Sequence, residues 1–202
     1  MNTNFDKEKL QRLSLRDDSG KIICELWPIN RSFDVTDEIV ELLVKWRNKS
    51  MKYFKTQFNA SPDTTKQWLQ NNIAQNNRVL FLIFIEGKPV GHYGLSNILE
   101  DSAELDNAIR GERDGAPDLF IEIEKYLIKF CFEQLKLRSL SAKVFSNNFL
   151  ALAMHQKFGF EVAATYPLRL VETEGKKEFI ECEDQESNVS FAYIELKLIN
   201  NQ

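Results

Sequence analysis

An α/β fold is the class this sequence predicts, and three observations carry the reading. Arg78–Ile85 (RVLFLIFI) is apolar almost throughout, as a strand buried on both faces requires. Glu86-Gly87-Lys88-Pro89 then turns it into a second strand, Val90–Asn97. Ala103–Arg110 alternates with period two and passes through a glycine-containing turn, Gly111–Pro117, into a long amphipathic helix from about Asp118 to Leu135. Leu140–Phe160 (LSAKVFSNNFLALAMHQKFGF) reads as strand, corner, short helix and corner. Leu140, Ala142 and Val144 alternate with Ser141, Lys143 and Phe145, Asn147 or Asn148 can cap the helix, and Gly159 supplies the stop.

The remaining elements follow in order. Residues 1–9 are expected to be flexible. Leu13–Arg16 and Lys21–Trp27 flank the turn cluster Asp17-Asp18-Ser19-Gly20 and form a hairpin. Ile39, Leu42, Leu43 and Trp46 recur at helical spacing behind the cap candidates Asp34, Thr36 and Asp37. Ser61-Pro62-Asp63 starts a second helix that buries Trp68, Leu69 and Ile73. Between these helices, Lys49–Ala60 carries Tyr53, Phe54 and Phe58 and is either a substrate-facing loop or a packed lid.

Gly91 and Gly94 inside a strand signal close approach by another backbone or a ligand. His92 beside them is either part of a site or a hydrogen-bonded strand histidine. On the next strand, Glu104, Asp106, Ala108 and Arg110 are expected on one face, and Leu105, Asn107 and Ile109 on the other. Beyond Phe160, strands are expected over Val162–Leu170, Val171–Glu174, Phe179–Cys182 and Ser190–Leu198, with acidic Glu181–Glu186 as a solvated loop. No repeat or linker divides the chain, so residues 1–202 are read as one domain.

Composition narrows the function classes. With 202 residues, 43% of them hydrophobic and fifteen of them Phe, the chain can fill a sizeable core. No apolar run reaches the ~18–20 residues of a membrane span, and the N-terminus lacks signal-peptide architecture, so a cytoplasmic protein without a membrane partner is expected. A net charge of −4 argues against a general nucleic-acid binder but leaves room for a local phosphate pocket. Cys24, Cys131 and Cys182 are widely spaced and form no metal-ligand pattern.

Asn148, Ala151, His155, Gly159 and Phe160 spell N-x-x-A-x-x-x-[Y/H]-x-x-x-G-F. This resembles the signature of the GNAT superfamily, the acetyl-CoA-dependent N-acetyltransferases, with His155 where the family usually has Tyr. Arg110-Gly111-Glu112-Arg113-Asp114-Gly115 resembles the family's [Q/R]-x-x-G-x-[G/A] turn, with Arg113 in place of the first glycine. Such a turn at a helix start offers unpartnered N–H groups to a diphosphate. Trp46-Arg47-Asn48 is similar to the W-R-N of acetyltransferases acting on amino sugars and on ribosomal-protein N-termini. The likeness spans roughly residues 34–160.

The resemblance implies a mixed, twisted sheet of six or seven strands flanked by helices, with Ala103–Arg110 and Leu140–Phe145 splaying apart to admit the pantetheine arm. It implies acetyl-CoA as cofactor, bound by Arg110, Gly111, Arg113, Asp114, Gly115, Ala116, Asn148 and Ala151. It also implies a small-molecule primary amine as acceptor, on a nucleotide-linked amino sugar. The alternatives are acetylation of a protein N-terminus or a non-catalytic acyl-CoA-binding module. Trp46, Arg47, Asn48, Tyr53 and His92 are the candidate acceptor contacts, and a homodimer is compatible with the pattern. For chemistry, Glu104 or Asp106 can collect the amine proton, and His155 can protonate the departing thiolate. Each also has a plain reading: a solvated strand carboxylate, or a helix histidine that only makes a hydrogen bond.

Overall fold

A computed structural model describes residues 5–201. Ten strands and four α-helices follow one another: β1 (Leu13–Arg16), β2 (Ile22–Pro28), α1 (Asp37–Lys49), β3 (Thr56–Phe58), α2 (Pro62–Ala74), β4 (Val79–Ile85), β5 (Lys88–Ser96), β6 (Ser102–Arg110), α3 (Leu119–Glu133), β7 (Ser139–Phe145), α4 (Phe149–Lys157), β8 (Glu161–Thr173), β9 (Lys176–Glu181) and β10 (Ala192–Ile199). Their order in the sheet is β1-β2-β4-β5-β6-β7-β10-β8-β9-β3. Only β6 and β7 run parallel; every other neighbouring pair is antiparallel. Among the described residues, no helix is long and apolar enough to cross a membrane.

The helices begin where the local chemistry places them. Thr36 Oγ1 accepts from Ile39 N and caps α1. Ser61 and Thr64 cap α2 reciprocally, with Pro62 at its first turn, where a missing N–H costs nothing.

β4 explains its own apolar run, because its side chains alternate between two cores. Val79, Phe81 and Ile83 pack with Ile123 and Leu127 of α3. Leu80, Leu82 and Phe84 pack with Leu43 and Trp46 of α1 and Leu69 of α2. A third, smaller cluster gathers Phe145, Leu168 and Phe179 at the far end of the sheet.

Four expectations are corrected. The sheet among the described residues holds ten strands rather than the six or seven that the resemblance implies: beyond β7 it continues through β10, the single long strand β8, β9 and β3. The Lys49–Ala60 connection is thereby part of the sheet. Residues 1–4 lie outside the described residues, but 5–9 are anchored: Lys7 is buried, and its ammonium donates to the carbonyls of Asn72 (2.8 Å) and Gln75 at the end of α2.

The fourth concerns the faces of β6. Gly94 lies opposite Asp106 and His92 opposite Ile109, so Tyr93 faces two residues, Asn107 and Ala108. This is a β-bulge, with Asn107 at a φ of 51°. It moves Ile109 to the α1–α2 core while Leu105 stays in the α3 core. Strict alternation therefore holds only as far as Asp106.

The glycines of β5 answer to a neighbouring backbone, not to a ligand. A Cβ on Gly91 would lie 2.3 Å from the Ile109 carbonyl oxygen, and one on Gly94 would lie 3.1 Å from that of Asp106. Gly111 is tighter against a side chain: a Cβ there would lie 2.1 Å from the Trp46 indole. Gly111→Ala should therefore destabilise the fold by about 1–3 kcal/mol, the usual range for overpacking. Urea denaturation of the purified variant measures it, and a midpoint equal to wild type would show that Trp46 yields freely.

Candidate active site

Three features converge along β6. The first is a wedge. β6 pairs with β7 only from Ser102↔Ser139 to Leu105↔Ala142, and the two strands then separate. Asp106–Arg110 keeps its antiparallel neighbour β5, bulge included, while on its other side the backbone is unpaired. Polar backbone exposed in this way needs a partner, and an extended amide-containing chain can supply one.

The second feature is the loop from Gly111 to Asp118, at the mouth of the wedge. Arg110 shapes it from inside. Its guanidinium donates to the carbonyls of Pro117 (2.7 Å), Asp114 (3.2 Å), Glu112 (3.3 Å), Arg113 (3.3 Å) and Gly115 (3.4 Å). Glu112 ties the loop to α1 by accepting from Lys45 Nζ (2.6 Å) and Trp46 Nε1 (2.9 Å). Both bonds hold its carboxyl below the ordinary range. With the carbonyls gathered on Arg110, the N–H groups of Arg113, Asp114, Gly115 and Ala116 have no partner among the described residues. Gly115, at a φ of 79°, makes that curvature possible without strain. Four free amides beside the positive end of α3, with Arg113 exposed among them, form a cradle fit for a diphosphate.

The third feature is a cavity of about 340 Å³ on the α1–α2 side of the sheet. Arg47, Phe54, Trp68, His92, Asp106 and Tyr193 are among the residues that line it. Arg47 lies flat on Phe54, 3.5 Å from guanidinium carbon to ring centre, and donates through Nη2 to the Thr56 carbonyl at 2.7 Å. Its Nη1 is shielded from solvent and has no hydrogen-bond partner among the described residues. Burial lowers its pKa to about 10, which still leaves it charged at neutral pH.

Asp106 forms an ion pair with Arg78 at 2.6 Å and accepts from Asn107 Nδ2 at 2.6 Å, both on Oδ2. His92 Nδ1 lies 2.7 Å from the Asn107 carbonyl oxygen, which can only accept, so Nδ1 carries the proton and Nε2 keeps a lone pair. Burial lowers the His92 pKa to about 4, so the ring is neutral at physiological pH.

At the end of the wedge strand, Asn148 accepts from Ala151 N (3.4 Å) and caps α4. His155, in the last turn of α4, is 5% exposed. Its Nδ1 lies 2.7 Å from Oε1 of Glu124, a fully buried carboxylate in α3, whose Oε2 accepts from the Tyr93 hydroxyl at 3.0 Å.

The model of the acetyltransferase (GNAT) domain matches residues 31–161, almost two thirds of the chain and all three of these features apart from the outer wall of the cavity. The chain belongs to the GNAT acetyltransferase family. It is similar to acetyltransferases PseH from two strains of Campylobacter jejuni, at 25% identity over 131 residues and 28% over 132. Each match covers 64% of this chain and 81% of the relative. The crystal structure of C. jejuni PseH with acetyl coenzyme A shares the fold at a TM-score of 0.59 and 19% identity, over 88% of this chain and 99% of that one. A ribosomal-protein-alanine N-acetyltransferase from Brucella melitensis does so at 0.59 and 16%, over 83% and 98%.

The protein is thus a GNAT N-acetyltransferase whose acyl donor is acetyl-CoA. The amides of Arg113, Asp114, Gly115 and Ala116 would hold the pyrophosphate, and the unpaired backbone of β6 the pantetheine. Arg110 and Gly111 act otherwise than the motif suggests. The guanidinium of Arg110 is consumed by loop carbonyls, and the Gly111 N–H is bound to the Val90 carbonyl at 2.9 Å. The N–H of Ala151 is taken by its own cap.

Of the acceptor candidates, the structure brings Arg47 and His92 to one cavity, together with Asp106, one of the two candidate proton acceptors. Trp46 is wholly buried under the loop, and both ends of the Asn48 amide brace Ala60 (2.8 and 3.1 Å). Tyr53 is exposed outside the cavity. Glu104 accepts from Asn97 at 3.0 Å, lies outside the cavity lining, and has its carboxyl pushed up by burial. Sequence reasoning missed Arg78, Trp68, Tyr193 and above all Glu124. A signal for the last existed: a carboxylate on the apolar stripe of α3, four residues after Phe120 and three before Leu127.

Two predictions follow from this geometry. In Gly115→Val, a left-handed position receives a branched side chain, and even a Cβ there meets Ile85 at 2.6 Å. Coenzyme A affinity should fall at least about tenfold, roughly 1.4 kcal/mol, by calorimetry; unchanged affinity in the folded variant would move the pyrophosphate elsewhere. For His92, the folded-state pKa lies below the unfolded value, so its stability contribution is present above pH 6.5 and is lost as pH falls toward 4. Between pH 7 and pH 5 the wild type should lose about 2 kcal/mol more than His92→Gln in denaturant titrations, at 1.36 kcal/mol per pKa unit. Equal losses would show that His92 is not held neutral.

Proposed function

We propose that the protein acetylates the primary amine of a nucleotide-linked amino sugar. The observation that carries this reading is Arg47: a half-buried cation whose shielded Nη1 has no partner among the described residues, in a cavity that also offers an acceptor nitrogen and a carboxylate. An unpaired buried donor is costly, so a ligand anion that satisfies it gains strongly. Phe54, Trp68 and Tyr193 provide flat apolar walls suited to a sugar face or a base, and the volume falls within the range of small-molecule pockets. The likeness of Trp46-Arg47-Asn48 to amino-sugar acetyltransferases points the same way.

Acetyl-CoA supplies an acetyl thioester, and transfer requires the nitrogen to lose a proton and the departing sulfur to gain one. His92 Nε2 accepts a hydrogen bond from the neutral amine and orients its lone pair. With its pKa near 4, it does not retain that proton at neutral pH. Asp106, whose Oδ1 receives none of the bonds that Arg78 and Asn107 make to Oδ2, takes the amine proton directly or through water. His155 gives the proton at the sulfur through Nε2. The second reading, acetylation of a protein N-terminus, draws on the same Trp46-Arg47-Asn48 likeness and on the ribosomal-protein-alanine N-acetyltransferase among the neighbours.

Thiol release measured on parallel panels of nucleotide amino sugars, free amino sugars and N-terminal peptides separates these readings. Nucleotide-linked substrates should be preferred, and Arg47→Met should raise KM for them at least about tenfold while leaving coenzyme A affinity intact. Preference for peptides sinks the sugar reading, and coenzyme A binding without turnover on any panel sinks the mechanism.

A further inference from the structure

Glu124 is the least expected charge in the molecule. It is fully buried on the face of α3 that packs into the apolar core, between Phe120, Ile123 and Leu127. Burying a lone carboxylate costs several kcal/mol, so its hydrogen bonds must supply the compensation. Both of its oxygens are engaged, one by Tyr93 of β5 and the other by His155 of α4. Burial, with the carboxylate beside it, pushes the Tyr93 phenol well above its ordinary pKa, so the hydroxyl remains a donor. Three elements of the fold are joined at a single carboxylate.

We propose that Glu124, held by Tyr93, is a positioning residue that keeps Nδ1–H of His155 on its carboxylate, so that Nε2 is the nitrogen that exchanges its proton with the reacting sulfur. This rests on the reading of His155 as proton donor. A carboxylate can only accept, so at 2.7 Å the Nδ1 atom must donate. Nε2 is the ring nitrogen left over, and it has no partner among the described residues. The ring is further held by Phe160, at 5.4 Å between centres. A tyrosine hydroxyl at this place has one proton and needs no such choice; an imidazole has two nitrogens and does. The form that donates is the imidazolium, with Nδ1–H on Glu124 and Nε2–H toward the sulfur. When the Nε2 proton passes to the thiolate, the ring is left neutral with Nδ1–H still on Glu124, and it takes its next Nε2 proton from solvent.

The test begins on the protein alone. Nitrogen-15 NMR of the labelled histidines should report Nδ1–H for neutral His155 in the wild type and a mixed or inverted tautomer in Glu124→Gln, whose amide can donate as well as accept. Glu124→Gln should also lower kcat about 10- to 100-fold, as when carboxylates that orient histidines are removed, with KM for acetyl-CoA unchanged. In a His155→Phe background it should lower kcat no further. An unaltered tautomer with wild-type kcat overturns the proposal, and so does an equal loss in the His155→Phe background. If Glu124→Gln does not fold, Tyr93→Phe decides instead: a several-fold loss of kcat that vanishes in the His155→Phe background supports the proposal, and an unchanged kcat overturns it. His155→Phe with wild-type turnover would overturn the donor reading itself. The NMR result would still stand or fall separately.

Discussion

Strand β6 cannot satisfy both of its neighbours along its whole length, and the site depends on that constraint. Its first half is shared between β5 and β7; after Leu105 it follows β5 alone. Asn107 and Ala108 together oppose Tyr93, a bulge that kinks the strand, and His92 pins it by donating to the Asn107 carbonyl. From that point the strand presents unpaired backbone to one side and Asp106 to the cavity on the α1–α2 side. Wedge and cavity lining thus meet at one irregularity.

In the loop before α3, the motif residues are engaged otherwise than the family resemblance implies. Arg110 gathers five carbonyls, and the N–H groups of Arg113, Asp114, Gly115 and Ala116 are left without a partner among the described residues. Trp46 and Glu112 fasten this cradle to α1, the same helix that sends Arg47 into the cavity. Adjacent residues of one helix therefore point to two different places: Trp46 packs under the loop, and Arg47 lines the cavity. An α-helix does this naturally, since successive side chains point about 100° apart.

Most strand and helix positions, the cap at Ser61, the cap candidates that include Thr36 and Asn148, the glycine stop of α4 and the family resemblance are legible in the sequence. Each rests on local chemistry: periodicity, a side-chain oxygen near a free N–H, or a residue without a Cβ. The six- or seven-stranded estimate falls short because the pairing of β3 with β9 joins residues more than a hundred positions apart, and no local pattern records it.

What the sequence determined by itself is an α/β chain with the signature of the GNAT acetyltransferases, a glycine-containing turn before a long helix, and a histidine where the family usually has tyrosine. The tertiary structure decided what those residues do. It alone moved Ile109 across the sheet, buried Trp46, left Arg47 with an open nitrogen, and set Glu124 against His155. The reason is physical: partner, burial and direction for a side chain are set by elements distant in the chain. Lys7 on α2 and Tyr93 on Glu124 are held by contacts that appear only when the sheet and its helices close around them.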